Sequence, residues 1–387
     1  IEKVFASATT IYLRPRNDAP SYLWGEALKV DIPILPTEVS YSNENYISSI
    51  VIKKEGVTDT SEIDVLKRKY KSVQIKYMDG LGRPMQVVDV WSSPKGHDLI
   101  HQVYYDSFGR ERFKYLPITK MSNDGSYNHV AKSEIIDFYT ESHPSHPDHV
   151  ASSTAPYAET VFESSPLSRV LQQGAPGETW QPGNPDTDHT VRYGYGTDGG
   201  DVLLLHVYAH SDNLNFGKRI DGFFYSHYLS GQLFKTIVKD ENWTSDKGKL
   251  HTTEEYRDKS GNVVLKRSFY KKLVYVDTWA YIPIDTYYVY DDFGLLRYVL
   301  PPEASKLLDS GATYTKEDTT IIKPWCYYYD YDARKRMIEK QIPGAEPVYM
   351  VYDKFDRLVA TQDGEMRTRG EWLITKYDAF NRPVMTG

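Results

Sequence analysis

The chain has 387 residues, more than one ordinary hydrophobic core organises, so at least two structural units or a repeat array are expected. Its 46 Lys and Arg against 53 Asp and Glu leave a net charge of -7, the wrong sign for a general phosphate-backbone binder, which argues against nucleic acid as a partner. A hydrophobic share of 40% excludes global disorder, and the one cysteine, Cys326, excludes a disulfide framework and a Cys-rich zinc module. The longest apolar stretches, such as 202–205, fall far short of the roughly 18 residues of a membrane helix, so no membrane span is expected. The first residue is Ile1 and no charged-then-apolar leader follows, the pattern of a processed product or a cut piece. With 33 Tyr, 13 Phe and 7 Trp, the composition favours strands carrying cross-strand aromatic pairs.

In chain order, residues 1–60 form a β-rich segment broken by Pro15, Pro20, Pro33 and Pro36. A short helix is predicted within 60–70, with Ser61 as its cap. Residues 131–139 put Ile135, Phe138 and Tyr139 on one helical face. The stretch 143–200, rich in Ser, Pro, Gly and Asp, reads as long loops interrupted by one element over 161–170. Strands and turns dominate from 202 onward, with a third short helix at 303–308 after two prolines. The division is therefore 1–60, then 61–250 with early hairpins and long loops, then a hairpin sheet over 251–387.

One motif recurs: an aromatic residue, Asp, two residues, Gly or a small polar residue, then Arg or a substitute. It reads Tyr77 to Arg83 around Asp79 and Gly82, then Tyr105-Asp106-Ser107-Phe108-Gly109-Arg110. Asp258 with Gly261 and Asp291 with Gly294 repeat it, and Asp332 to Arg336, Asp353 to Arg357 and Asp378 to Arg382 close the series. From Asp to Asp the close spacings are 27 (79 to 106), 21 (332 to 353) and 25 (353 to 378), about one hairpin and its return. The physics is that of a tight turn: Asp accepts from backbone N–H groups two residues on, and Gly supplies the positive φ that ends a type I turn with a G1 bulge. Lys335, Asp356 and Asn381 take the glycine position in later copies. Asp and Asn tolerate the left-handed region, whereas Lys335 is expected to be strained or differently built.

This ordered series resembles the RHS/YD-repeat proteins, in the bacterial branch where an uncharacterised N-terminal domain precedes the repeats. The resemblance runs over residues 44–387 and is carried by 79–84, 165–170 leading to 175–177, 239–244, 291–294 and 372–378. It implies a mainly β fold, in which antiparallel hairpin repeats form a spiralling sheet that is part of a hollow shell, with a β-rich N-terminal domain and a few short helices. It also implies a secreted or cell-surface setting and a C-terminal toxin or effector inside the shell. The implied partners are the rest of the same polypeptide, secretion machinery and surface glycans. Neither the family's Asp-Pro-rich autoproteolytic motif nor a variable toxin is present, so the chain is expected to be the N-terminal portion of a longer protein.

Candidates for chemistry are few. His143, His146 and His149 share one face of a polyproline II segment, but rigid steps of about 9 Å are too long for one ion. His206 and His210 sit in a strand-like run and lack the metalloprotease glutamate spacing. The Asp-rich loops 184–188 and 197–201 offer hard oxygens for Ca²⁺ without the twelve-residue pattern, and turn formation accounts for them more simply. Cys326 reads as a small buried hydrophobe. Ser164-Ser165 lacks a nucleophile elbow, and no Gly-rich run has phosphate-loop spacing. No catalytic constellation, cofactor or metal is expected, and EDTA is expected to leave the melting curve unchanged.

Three functions remain in view: a structural shell segment, a glycan- or protein-binding adhesin-like surface, and a glycosidase-like enzyme within 1–250. The first is favoured on the resemblance, and the turn-forming job of the recurring acids counts against the third. Residues 250–387 should form one antiparallel sheet, with little or no return strand after the turn at Asp378 and hence an open edge that favours self-association.

Overall fold

The computed structural model describes residues 9–13, 28–32, 39, 42, 44–57, 59–140, 151–210, 219–275, 278–308, 314–315 and 317–387. The four early prolines and the His143, His146 and His149 segment lie outside the described residues. The chain divides into two units, one of residues 1–184 and 188–190, the other of 185–187 and 191–387.

In the first unit, strand β1 (Thr9–Leu13) pairs antiparallel with β2 (Leu28–Ile32). Strand β3 (Asn45–Ile52) precedes helix α1 (Thr60–Asp64). Asp59, not Ser61, caps that helix: its Oδ1 accepts from the Ser61 N–H and hydroxyl, both at 2.8 Å. Aspartate accepts without also having to donate, which suits the N-cap, and Ser61 lies two positions inside. Strands β4 (Lys71–Met78), β5 (Pro84–Val90) and β6 (Leu99–Gln102) follow, then β7 (Phe113–Tyr115) and β8 (Ile118–Thr119). The order β3–β4–β5–β6–β8 makes an antiparallel sheet. Strict alternation in β4 sends Val73, Ile75 and Tyr77 inward, where they meet Val88 and Val90. Helix α2 (Lys132–Thr140) buries Ile135 and Tyr139 against Ile100 and Ile118 with Phe138 beside them, the face its periodicity predicts. Strands β9 (Tyr157–Phe162) and β10 (Val170–Gln173) pair with each other, and β9 also pairs with β7. The stretch 161–170 is thus a turn joining two strands rather than an element of its own, and 143–200 holds more strand than its composition suggests.

The second unit adds β11 (Val191–Thr197), β12 (Leu203–His210), β13 (Arg219–His227), β14 (Phe234–Lys239), β15 (Thr252–Arg257), β16 (Val263–Tyr275), β17 (Thr278–Tyr290) and β18 (Leu296–Leu300). Helix α3 (Pro302–Lys306) is followed by β19 (Tyr314–Thr315), α4 (Ile322–Trp325), β20 (Tyr327–Tyr331), β21 (Met337–Gln341), β22 (Val348–Tyr352) and β23 (Leu358–Gln362). Helix α5 (Gly364–Arg369), β24 (Leu373–Tyr377) and β25 (Pro383–Thr386) complete it. Strands β11, β14–β18 and β20–β25 run in that order in one antiparallel sheet, while β12, β13 and β19 form another. Leu203, Leu205 and Val207 of the second sheet pack against a core that includes Tyr256, Leu265, Tyr287, Tyr298 and Tyr328. The fold is mainly β and antiparallel, as the alternation predicts.

The final hairpin corrects one expectation. A return strand is present: β25 pairs with β24, Thr375 opposite Thr386 and Lys376 opposite Met385. Pro383 can open β25 because the first residue of a strand need not donate to the ladder.

Candidate functional site

Each repeated turn is built outward from its aspartate. Asp79 Oδ1 accepts from the Leu81 N–H at 2.9 Å and the Arg83 N–H at 2.8 Å. The backbone closes the same loop, with Gly82 N–H donating to the Asp79 carbonyl at 2.9 Å. This geometry demands positive φ at the fourth position, and Gly82, Gly109, Gly261 and Gly294 have φ of 75°, 76°, 86° and 73°. Lys335, Asp356 and Asn381 adopt 62°, 63° and 63°. Lys335 is therefore built like its counterparts, its N–H donating to the Asp332 carbonyl at 2.9 Å, so of the two expectations for it the strained one holds and the different construction does not. The closing hydrogen bonds of the turn hold the lysine in a region its side chain disfavours.

Oδ2 receives the arginine. Nε lies at 2.8 Å for Arg83 on Asp79, 2.9 Å for Arg110 on Asp106, and 2.7 Å for Arg336 on Asp332, Arg357 on Asp353 and Arg382 on Asp378. At Asp258 the substitute Asn262 uses its amide at 3.1 Å. At Asp291 the expected position holds Leu295, and Arg297, two residues further on, reaches back to Oδ2 at 2.7 Å. The other arm of Arg297 holds Asp330 at 2.5 Å.

The arginines also join one turn to the next. The guanidinium of Arg83 lies 4.3 Å from the ring centre of Tyr105, that of Arg297 5.0 Å from Tyr331, that of Arg336 4.9 Å from Tyr352 and that of Arg357 5.1 Å from Tyr377. In every case the ring belongs to the residue just before the next turn's aspartate. Several tyrosines complete the exchange: Tyr105, Tyr331 and Tyr377 donate to the carbonyls of Pro84, Leu296 and Leu358 at 2.9, 3.2 and 2.9 Å. Arg336 adds Nη1 bonds to the Asp353 carbonyl at 3.1 Å and to Asp356 Oδ1 at 2.7 Å. The left-handed Asp356 thus accepts from the preceding repeat as well as tolerating its backbone. Because successive strands are antiparallel neighbours, the turns at Asp258, Asp291, Asp332, Asp353 and Asp378 all fall at one end of their sheet.

A further copy has a glutamate. Glu163 opens the β9–β10 turn, and Arg169 places Nε at 2.9 Å from Oε1 and Nη2 at 2.8 Å from Oε2. Ser168 takes φ 50° at the equivalent position. The longer side chain spans a loop two residues longer. Arg110 stacks 4.5 Å from the ring of Phe162, the aromatic residue before that acid. The pattern of aromatic, acid, then arginine was present here, obscured by the changed acid and the changed spacing.

The tyrosine hydroxyls allow a direct check of these couplings. Tyr105→Phe keeps the stacked ring and loses one hydrogen bond, so a stability loss of about 0.5–1.5 kcal/mol is expected in urea unfolding. Tyr105→Leu loses the cation–π contact too and should cost more. Gly109→Val should cost more than about 1 kcal/mol, because φ is positive and a Cβ would sit 2.9 Å from Arg83 Nη1. Gly109→Asp should cost less than Gly109→Val, since Asp356 shows that a carboxylate there can accept from the arginine.

Electrostatics favour ionised turns. Backbone donation from Arg83 holds Asp79 below the usual carboxylate range, and backbone donation from Arg110 and Arg382 does the same for Asp106 and Asp378. For Asp332 and Asp353 burial works upward but is outweighed by the Arg336 and Arg357 hydrogen bonds. The Arg169 side chain leads in bringing Glu163 down to about 2. A depressed folded-state pKa contributes stability above the unfolded value, roughly 4, and that stability is lost as pH falls through the folded value. Denaturant midpoints should therefore hold steady from these groups between about pH 5 and 7 and decline below about pH 4. A midpoint that rises on acidification to pH 3 would contradict this.

The other candidates resolve individually. Cys326 is buried and its thiol is pushed up to about 12 by that burial, which disfavours the nucleophilic thiolate. His206 lies on β12 with Nε2 2.9 Å from Ser226 Oγ. In the loop 184–188, Asp186 accepts from the Ser245 N–H at 2.7 Å and Asp188 from the Gly183 N–H at 2.7 Å. In the loop 197–201, Asp198 accepts from the Leu233 N–H at 2.7 Å and Asp201 pairs with Arg267 at 2.5 Å. Among the described residues, no group of three or more His, Cys, Asp or Glu gathers around a common point. A cleft of about 610 Å³ is lined by Tyr288, Tyr290, Asp258, Asp291 and Asp292. Both oxygens of Asp258 and of Asp291 are engaged within their own turns.

A family model described as a domain of unknown function, DUF6443, matches residues 50–194. Salivary gland surface protein 1 of Aedes aegypti is 22% identical over 340 residues, covering 86% of this chain and 9% of that protein. Among solved structures, TcdB2-TccC3 matches with a TM-score of 0.47 and 14% identity, covering 82% of this chain and 12% of that one. The Tc holotoxin pore of Photorhabdus luminescens matches with a TM-score of 0.46 and 13% identity, again over 82% and 12%. The chain spans about a tenth of the length of these proteins.

Proposed function

We propose that the chain is a scaffold segment of a secreted or surface-delivered RHS/YD-repeat protein, a wall of hairpins that helps to enclose or present an effector carried elsewhere in the polypeptide. The observation that carries this reading is the set of arginine–tyrosine contacts that link four of the turns each to the one after it. Such nearest-neighbour coupling allows copies to be added without a new design, the physical basis of repeat architectures. It also engages the recurring acids and arginines in structure, so no catalytic role is assigned to them. The description of the mosquito relative as a surface protein agrees with the proposed setting.

The test uses the full-length gene product. Arg336→Ala combined with Arg357→Ala should loosen the wall, so that polypeptide outside these 387 residues becomes protease-sensitive while the wild type protects it. Equal digestion of the two would overturn the enclosing role. Glycoside turnover by the purified protein, abolished by substituting a carboxylate outside the turns, would replace the scaffold reading with an enzymatic one.

A further inference from the structure

The β16–β17 hairpin is longer than its neighbours require. Each of its strands has 13 residues, whereas β15 pairs with it only as far as Arg267 and β18 only from Tyr287 onward. Among the described strands, residues 268–275 and 278–284 pair with each other alone. Helix α3 backs the base, where the Ser305 hydroxyl donates to the Asp285 carbonyl at 3.0 Å. The 245–250 segment touches one side, with the Tyr281 hydroxyl donating to the Lys247 carbonyl at 3.2 Å. The remainder is an arm.

Leu273 lies opposite Trp279, and Lys271 opposite Tyr281, on one face; Tyr270 lies opposite Ile282 and Lys272 opposite Ala280 on the other. Leu273 is 48% exposed, Trp279 57% and Tyr270 39%, so apolar surface is open on both faces, and Tyr275 near the tip is 79% exposed. Residues 268–275 and 278–284 contain two lysines and no acid in a chain of net charge -7; the link between them adds Asp277. A mixed aromatic, aliphatic and cationic surface of this kind is uncommon on a soluble protein without a partner.

We propose that this arm is a membrane-surface anchor that seats at the headgroup level of an anionic bilayer. Charge selects the occupant: lysines beside exposed apolar side chains favour an anionic lipid surface, where each contributes attraction that salt screens. A second copy is disfavoured: pairing the β16 edges about Lys271 and Lys272 would set like charges opposite one another, and Pro283 removes a donor from β17. Open strand edges limit the depth, since N–H and C=O groups without partners cannot enter hydrocarbon. Tyrosine and tryptophan, apolar in body and polar at one end, suit that interfacial level. The inference goes beyond the scaffold reading and stands without it.

The test is flotation of the full-length gene product with phosphatidylcholine vesicles, with and without phosphatidylglycerol, at low and high salt. The wild type should bind the phosphatidylglycerol vesicles and dissociate as salt rises. Lys271→Ala with Lys272→Ala should weaken binding by about tenfold or more. Leu273→Ser with Trp279→Ser should weaken it similarly, and melting temperature should confirm that both variants fold. A dye attached through Tyr275→Cys should shift to the blue on binding. Absence of binding, or equal binding by folded variants, would overturn the proposal. So would arm-dependent dimers that leave vesicles untouched, which would assign the surface to a second copy.

Discussion

Arg297→Met is expected to destabilise the second unit by about 3–5 kcal/mol, while Arg382→Ala changes stability by less than about 1 kcal/mol. The two arginines hold turn aspartates at the same 2.7 Å. Their surroundings differ. The Arg297 side chain is 6% exposed, as is Asp291, and Asp330 is 9% exposed. Removing the guanidinium strands two carboxylates in a site that water scarcely reaches. Asp291 keeps the N–H groups of Phe293 and Leu295, and Asp330 keeps that of Tyr331, but neither keeps a cation. The Arg382 side chain is 73% exposed, so water replaces much of what its pair supplies. Arg297→Lys should recover only part of the loss, because one ammonium cannot hold two carboxylates in the geometry of a planar fork and stack on Tyr331 as well. Urea midpoints for the three variants decide the matter. Equal shifts for Arg297→Met and Arg382→Ala would show that burial does not separate the two pairs. Arg297→Met combined with Asp330→Asn should cost less than the sum of the single changes, since the second removes a charge that the first left unpaired.

The turns were legible because their chemistry is local. Aspartate, a left-handed residue and arginine within five positions leave few alternatives, and even Ser168 and Asn381 satisfy the same backbone demand. The coupling between turns was less legible, since it depends on which strand lies beside which. Nothing within Arg336 indicates that its partner ring is Tyr352 until β21 and β22 are known to be neighbours. Arg297 was missed for a related reason: it stands two residues beyond the motif, and only the fold brings it back to Asp291. Helix α5 was also missed. Its six residues give no periodic signal, and its limits are set by end groups, Asp363 accepting from the Met366 N–H and Gly370 with φ 69°. The long β16–β17 arm was not set apart from the other strands after residue 202, because exposure of both faces becomes visible only when its neighbours prove shorter.

Gly125→Ala is expected to cost the first unit about 2–6 kcal/mol, from strained backbone and an overfilled core together. Gly125 has φ 78°, a conformation in which alanine is strained. A Cβ there would lie 2.6 Å from Ile75 Cδ1, 2.9 Å from Val90 Cγ2 and 3.2 Å from Val39 Cγ1. Ile75 and Val90 are 0% and 4% exposed, so neither has open space into which to move. The backbone cannot yield easily either. Gly125 N–H donates to Asp98 Oδ2 at 2.8 Å, and its carbonyl accepts from the Tyr77 hydroxyl at 2.7 Å. Asp98 is itself fully buried and accepts from the Trp91 N–H at 2.9 Å. Displacing Gly125 would therefore break buried hydrogen bonds whose partners have no water to turn to. Gly82→Ala is the control: its φ is 75°, but a Cβ there would meet nothing within 4 Å, so strain alone should cost roughly 1 kcal/mol. A cost of several kcal/mol is a large part of the 5–15 kcal/mol that typically holds a domain together. Near-UV circular dichroism followed through urea unfolding should show the Gly125→Ala transition at much lower denaturant than that of Gly82→Ala. If the two midpoints fall by the same amount, the close approach of Gly125 to Ile75 and Val90 contributes nothing beyond backbone strain.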